Sequence, residues 1–191
     1  MKKRICAIAV VAICLSILAS ATYAYFTDAA TARNVITSAG IDIEVVEQQL
    51  VNGVLQPYPD QRISVMPTST VSKIVSVKNN EQPAWVRMNY SVSVYDADDN
   101  VMDITADELE RVIIIEPDTV NWTQKGSWWY CNAAVNSGET TKPLFEEVIF
   151  SGVDMDNKYQ GCTVHIDVNA QAVQTAHNGT NALTALGWTE E

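Results

Sequence analysis

Thiol or metal chemistry in this chain has few residues to work with. It contains two histidines, His165 and His177, and four cysteines, Cys6, Cys14, Cys131 and Cys162. A zinc site needs three or four His, Cys or carboxylate ligands at compact spacing, and zinc peptidases commonly take two histidines from one helical turn. His165 and His177 are 12 residues apart, with no H-E-x-x-H around either. A set made of Cys131, Cys162, His165 and His177 matches no compact zinc module. Ser151-Gly152 lacks the G-x-S-x-G context of a nucleophile elbow, and Gly126 and Gly138 are isolated turn glycines. Asp96-Ala97-Asp98-Asp99-Asn100 opens like a calcium loop, but Val101 stands where that loop needs glycine and Asp107 where it needs glutamate. Asp154-Met155-Asp156-Asn157 is weaker still. The expectation is no catalytic residue, no metal ligand and no cofactor.

The other chemically suggestive residues are aromatic: Trp85, Trp122, Trp128, Trp129, Tyr130 and Trp188. In a β-protein they are first of all packing groups. Trp128 and Trp129 are adjacent, so in a strand they face opposite ways. One is then buried, and the other is exposed or covered by a loop or partner. An exposed, coplanar set would make the protein a carbohydrate-binding module.

The elements that carry these residues begin after an address. Lys2-Lys3-Arg4 is basic, Ile5 to Ala19 is almost wholly apolar, and Ser20 to Ala24 is small and turn-prone apart from Tyr23. This is the plan of an export signal occupying residues 1–24, cut between Ala24 and Tyr25 by a signal peptidase. The apolar run of about 15 residues is shorter than the ~20 needed to span a bilayer, so no stable membrane anchor is expected after cleavage. All 23 acidic residues but only nine of the 12 basic ones lie beyond residue 24, which leaves the exported part at −14. So acidic a surface disfavours nucleic acid and anionic lipid as partners. Cys131 and Cys162 remain in the exported part. An oxidising exterior favours a bridge between them, closing a loop of about 30 residues; two free buried thiols are the alternative.

Along the exported part, residues 25–39 are short-chained and polar, an N-terminal arm or loose edge strand, with Tyr25 and Phe26 ahead of Thr27 and Asp28. Residues 40–191 read as one domain. Ile41, Ile43 and Val45 alternate with Asp42 and Glu44, a half-buried strand. Asn52-Gly53 is a hairpin turn. Short strands are predicted at Arg62–Met66 and Val71–Val77. The clearest strand puts Val86, Met88, Tyr90, Val92 and Val94 on one face and Arg87, Asn89, Ser91 and Ser93 on the other. Thr105 and Glu108 have the spacing of a helical capping box; Val112–Ile115 fits the end of that helix or a strand. Gly126 divides a tryptophan-rich hairpin, and Pro143–Phe150 is a further strand. Val164, Ile166 and Val168 alternate with His165, Asp167 and Asn169, and Ala170, Ala172 and Gln174 prolong the pattern. Ala182–Trp188 is a terminal turn or helix. Many short strands with Gly, Pro and Asn turns indicate an all-β sandwich.

Two sets of motifs carry a family resemblance. Tyr23-Ala24-Tyr25-Phe26-Thr27-Asp28 followed by Thr37-Ser38-Ala39-Gly40-Ile41-Asp42-Ile43 resembles the TasA/camelysin group of secreted Gram-positive surface and biofilm-matrix proteins. In order, Pro83-Ala84-Trp85-Val86-Arg87, Trp128-Trp129-Tyr130, Gly138-Glu139-Thr140-Thr141-Lys142-Pro143-Leu144-Phe145, Asp167-Val168 to Gln174 and Gly187-Trp188 are similar to its signal-peptidase-cognate (BsaA-type) branch. The resemblance implies a jelly-roll-like antiparallel β-sandwich with one or two short helices. It also implies export to the extracellular matrix or cell surface, and self-association into fibres by N-terminal strand donation. Some camelysin-type relatives are described as metallopeptidases, which makes a surface metallopeptidase the alternative. The ligand count above argues for a non-enzymatic subunit.

Overall fold

The computed structural model describes residues 35–37, 40–59 and 61–189. The expected leader, its cleavage point at Ala24 and Tyr25, and the arm residues Tyr25, Phe26, Thr27 and Asp28 lie outside the described residues.

The longest pairing in the fold joins β6 (Ala84–Tyr95) to β11 (Thr163–Gln174), antiparallel and in unbroken register from Thr163↔Tyr95 to Gln174↔Ala84. Each strand alternates as its sequence does. Val86, Met88 and Val94 of β6 and Val164, Ile166 and Ala170 of β11 point inward and are buried. Around this pair stand β9 (Trp128–Cys131) and β8 (Trp122–Lys125) on the β6 side. On the β11 side, β4 (Ile63–Ser64) takes Thr163 and Val164, and β1 (Val35–Thr37) pairs in parallel with Ala170 to Ala172. The second sheet runs β3 (Val54–Pro57), β2 (Ile43–Val51), β5 (Thr70–Asn79), β10 (Phe145–Phe150), β7 (Ile113–Ile115). Apart from β1–β11, all pairings are antiparallel, and the chain passes from sheet to sheet at most connections, in the jelly-roll manner.

Inner faces of both sheets meet in one apolar core. Val45, Val75, Val77, Phe145, Val148 and Phe150 from the second sheet face Val86, Met88, Val164 and Ile166 from the first. Tyr90 and Phe145 join the layers edge to face, with ring centroids 5.3 Å apart. At one corner Asn79, 0% exposed, replaces apolar packing with hydrogen bonds. Its Nδ2 donates to the carbonyls of Gln82 and Val135 at 2.7 and 2.8 Å. Nearby, Thr141 Oγ1 accepts from the Val77 amide at 2.9 Å. The corner thus ties the polar 136–141 turn to the end of β5.

The Thr105 segment resolves into both of its readings. A short helix, α1 (Ala106–Val112), starts where Thr105 Oγ1 accepts from the Glu108 amide at 3.3 Å. It ends when the β-branched run Val112-Ile113-Ile114-Ile115 enters β7, where such side chains pack best. Glu108 does not reach back to complete a capping box. Its carboxylate accepts from Tyr159 Oη at 2.7 Å and pairs with Lys158 Nζ at 2.5 Å. Both belong to a 3-10 turn, Asn157–Tyr159, that the sequence pattern did not indicate. Ala182–Trp188 forms turns rather than a helix.

The Lys158 ammonium, then the Tyr159 hydroxyl, hold the Glu108 carboxyl below its ordinary value of 4.5. A carboxyl held low in the folded state stabilises it fully above that value and loses the contribution as pH falls through the lowered one. Glu108→Gln is therefore expected to lower Tm at pH 7. The gap between variant and parent should close as pH drops below 4.5, as followed by circular dichroism melts across the acid range.

Candidate functional site

The residues singled out for chemistry do not converge. His165 lies on the outward face of β11, its Nδ1 3.4 Å from Asp167 Oδ2. His177 lies in the loop beyond the far end of the same strand, with φ 56°. Ser151 Oγ donates to Asp154 Oδ2 at 2.9 Å, a bond within its own turn. Asp96 Oδ1 accepts from the amides of Asp98 and Asn100, both at 2.9 Å. The Asn100 amide foremost, with other donors of the loop, holds the Asp96 carboxyl below its ordinary range. Asp99 pairs with Arg62, whose guanidinium lies over the Tyr95 ring. The acidic loop is thus closed on itself and on Arg62. Among the described residues no three His, Cys, Asp or Glu side chains are grouped to hold a metal ion.

The expected Cys131–Cys162 bridge is not formed; both are free, buried thiols. Register explains why. Cys131 follows Tyr130, which pairs with Arg87 near one end of β6, whereas Cys162 precedes Thr163, which pairs with Tyr95 at the other. About ten residues of strand at roughly 3.3 Å each separate them, far beyond the ~7 Å Cα limit of a disulfide. Burial pushes both thiols above their ordinary value, so they stay protonated and inert. Cys162 Sγ sits 3.4 Å from Met102 Sδ.

Trp128 and Trp129 do face opposite ways, and neither is exposed. Trp129 packs against the core. Trp128 joins Trp85, Tyr130, Val173 and Trp188 in a second cluster on the outer face of the first sheet, roofed by Ala182 and Ala185 of the C-terminal segment. Arg87, 6% exposed, lies at its centre. Its guanidinium carbon is 4.1 Å from the Trp128 ring centroid and 4.8 Å from that of Trp188. Its nitrogens donate to Gln171 Oε1 at 2.7 and 3.1 Å, Tyr130 Oη at 3.0 Å and the Thr189 carbonyl at 2.8 Å. In the sequence Arg87 shares a strand face with Asn89, Ser91 and Ser93; the one hint of its burial is its two-residue spacing from Trp85 on the same face. Because the tail covers these rings, they form no open platform for a sugar.

One incomplete part of the fold lies on the opposite side of β6 from β11. There β9 pairs with β6 only at Arg87 and Met88. From Asn89 to Ser93, β6 has no neighbouring strand on that side among the described residues. On the same side the second sheet ends in β7, which pairs only with β10. Between these free edges opens a cleft of about 450 Å³ lined by Tyr90, Val92, Leu109, Ile113, Ile115 and Trp129, with Glu110 and Gln124 among its polar residues. Burial, and then the Glu110 carboxylate, raise the Tyr90 hydroxyl's pKa, so it remains a neutral donor. Asn89 Oδ1, at the start of the bare stretch, is buried without a hydrogen-bond partner. Unpaired N–H and C=O groups beside an apolar cleft are what an added strand satisfies. The last described part of the arm, β1, lies at the other edge of this sheet, beyond β11.

Residues 1–64 match the family model of camelysin metallo-endopeptidase. The match takes in the expected leader and arm and the first strands, β1 to β4. Neither histidine of the chain falls within it. No curated protein and no solved structure matches the chain. Among the described residues no helix is long and apolar enough to cross a membrane.

The free thiols and the Arg87 cluster each make a prediction. Intact protein should take up no alkylating agent at Cys131 or Cys162 until it is unfolded, then two equivalents with or without reductant, as read by mass spectrometry. Arg87→Lys should cost about 1–3 kcal/mol, because an ammonium cannot stack between two indoles or serve the fixed fork of acceptors. Hydrogen exchange should rise first in residues 175–189.

Proposed function

We propose that this chain is a non-enzymatic structural subunit, exported to the cell surface or extracellular matrix, which self-associates by strand donation. The N-terminal arm of one copy fills the open side of the next. The observation that carries this reading is the bare Asn89–Ser93 edge beside its apolar cleft. An added strand there would extend the first sheet and cover Tyr90, Val92 and Ile115. The chain's own arm supports an intermolecular partner, because its last strand, β1, already lies on the opposite edge of that sheet. Giving the arm to a neighbour makes a head-to-tail contact, which propagates instead of closing. Tyr25 and Phe26 supply the apolar grip, and the uncleaved leader holds the arm back until export is complete.

The camelysin match supports kinship in the leader, arm and first strands. Its peptidase chemistry is the competing reading, and the ligands argue against carrying it over. The matched residues contain no histidine, and His165 and His177 lie apart in the fold. A zinc peptidase needs three protein ligands around an open position.

Protein beginning at Tyr25 should form filaments visible by electron microscopy, and protein beginning at Gly40 should not, under the same acidic or calcium-containing conditions. Equal polymerisation of both, or of neither, rejects strand donation. Stoichiometric zinc with chelator-sensitive proteolysis by the pure protein would select the peptidase instead.

A further inference from the structure

The β2–β3 hairpin is the most apolar exposed element among the described residues. Leu50, Val54 and Leu55 are 52%, 59% and 53% exposed, and every residue of β3 is open to solvent. Residues 48–59 contain no charged side chain, in a chain that is 18% charged with a net charge of −11. Edge strands are normally blunted by charge; here only Pro57 does so.

The hydrogen bonding of the hairpin shows which backbone groups are free. Asn52 and Gly53 both have positive φ, 51° and 79°, the two-residue turn that matches strand twist. Val51↔Val54 closes that turn and Leu50↔Leu55 follows it. Around such a turn the closing pair exchanges both hydrogen bonds and the next pair none. Leu50 accordingly sends its amide the other way, to Ser72 Oγ at 2.9 Å. Leu55 must then direct its N–H and C=O outward, where β3 has no neighbour among the described residues.

We infer that this edge is a twofold contact between copies of the chain, β3 against β3 antiparallel and centred on Leu55. The occupant follows from charge and from register. Two copies of so acidic a protein repel wherever carboxylates meet, and residues 48–59 let them approach with no charge between them. The strand is also its own complement. Leu55 opposite Leu55 exchanges two hydrogen bonds and aligns Leu50, Leu55, Leu55 and Leu50 in a row across four strands. Pro57 falls opposite Gly53 and forfeits one bond on each side. A four-residue edge is smaller than the roughly 800 Å² per partner of a stable dimer, so the isolated contact is reversible and concentration-dependent. The contact lies at the opposite edge of the second sheet from β7 and does not compete for the cleft.

In the twofold register the Leu55 Cα atoms are about 5.5 Å apart, within disulfide range. Leu55→Cys in protein recovered from the producing cells should therefore give a covalent homodimer under mild oxidation, whereas wild type, whose own thiols are buried, gives none. Leu55→Glu should weaken the dimer roughly tenfold or more in sedimentation, through like charges placed opposite one another, with circular dichroism unchanged. A Leu55→Cys protein that stays monomeric, one that couples to another protein instead, or a dimer insensitive to Leu55→Glu overturns the inference. Filament loss on arm removal with the cross-link retained, or the reverse, separates this contact from strand donation.

Discussion

Every part of the first sheet is placed by the ladder between β6 and β11. The pair joins residues far apart in sequence; Arg87 and Gln171, hydrogen-bonded through their side chains, are 84 positions apart. Among the described residues its inner face supplies nine of the 27 buried residues of the main core, and its outer face supports the C-terminal segment. Its two flanks decide what else binds. On one flank β4 and β1 each cover a few residues of β11, and among the described residues no strand pairs with His165–Asn169 between them. On the other, β9 leaves β6 after Met88 and the sandwich stands open. Sandwiches close when every edge is paired, short or charged, and this one leaves a long central strand half-dressed.

The Arg87 cluster shows how a charge is kept inside such a fold. Among the described residues the guanidinium has no carboxylate partner, and burying an unpaired cation is costly. It is offset by four hydrogen bonds to neutral acceptors and by two indole faces, each contact contributing roughly 0.5–2 kcal/mol. Because one acceptor is the Thr189 carbonyl and one ring is Trp188, the charge also fastens the tail to the sheet. Asn79 does the same with neutral groups, its side chain holding the Val135 carbonyl at the start of the 136–141 turn. Asn79 ends its strand and Arg87 lies within the ladder, and both convert a polar side chain into a tether for an irregular segment.

What could be read from the sequence was local. Alternation in Val86–Val94 and Val164–Val168 reports which side chains share a face, and both strands have the expected faces. Asn52-Gly53, Gly126 and Thr105 declare turns and a cap through backbone chemistry that needs no distant partner. What escaped depends on register between distant strands. The interval between Cys131 and Cys162 gives the length of a loop, but only pairing with opposite ends of β6 shows that the thiols cannot meet. Arg87 alternates like a surface residue, and its burial comes from a tail that has no periodicity of its own. The bare Asn89–Ser93 edge is invisible for the same reason: no property of β6 says where its neighbour stops.

Because β11 follows every other described strand, the fold also acts as a timer. As the chain emerges from its N-terminus, the β2–β3 and β8–β9 hairpins can form at once, since their partners are adjacent. β6 must wait for Thr163–Gln174, and the outer tryptophans wait longer still for Trp188. Long-range pairings of this kind form late and slowly. Until Thr163–Gln174 appears, β6 lacks the strand that pairs with it along its whole length, and the first sheet has no spine to form upon. The first sheet closes only when β11 takes its place between β6 on one side and β4 and β1 on the other.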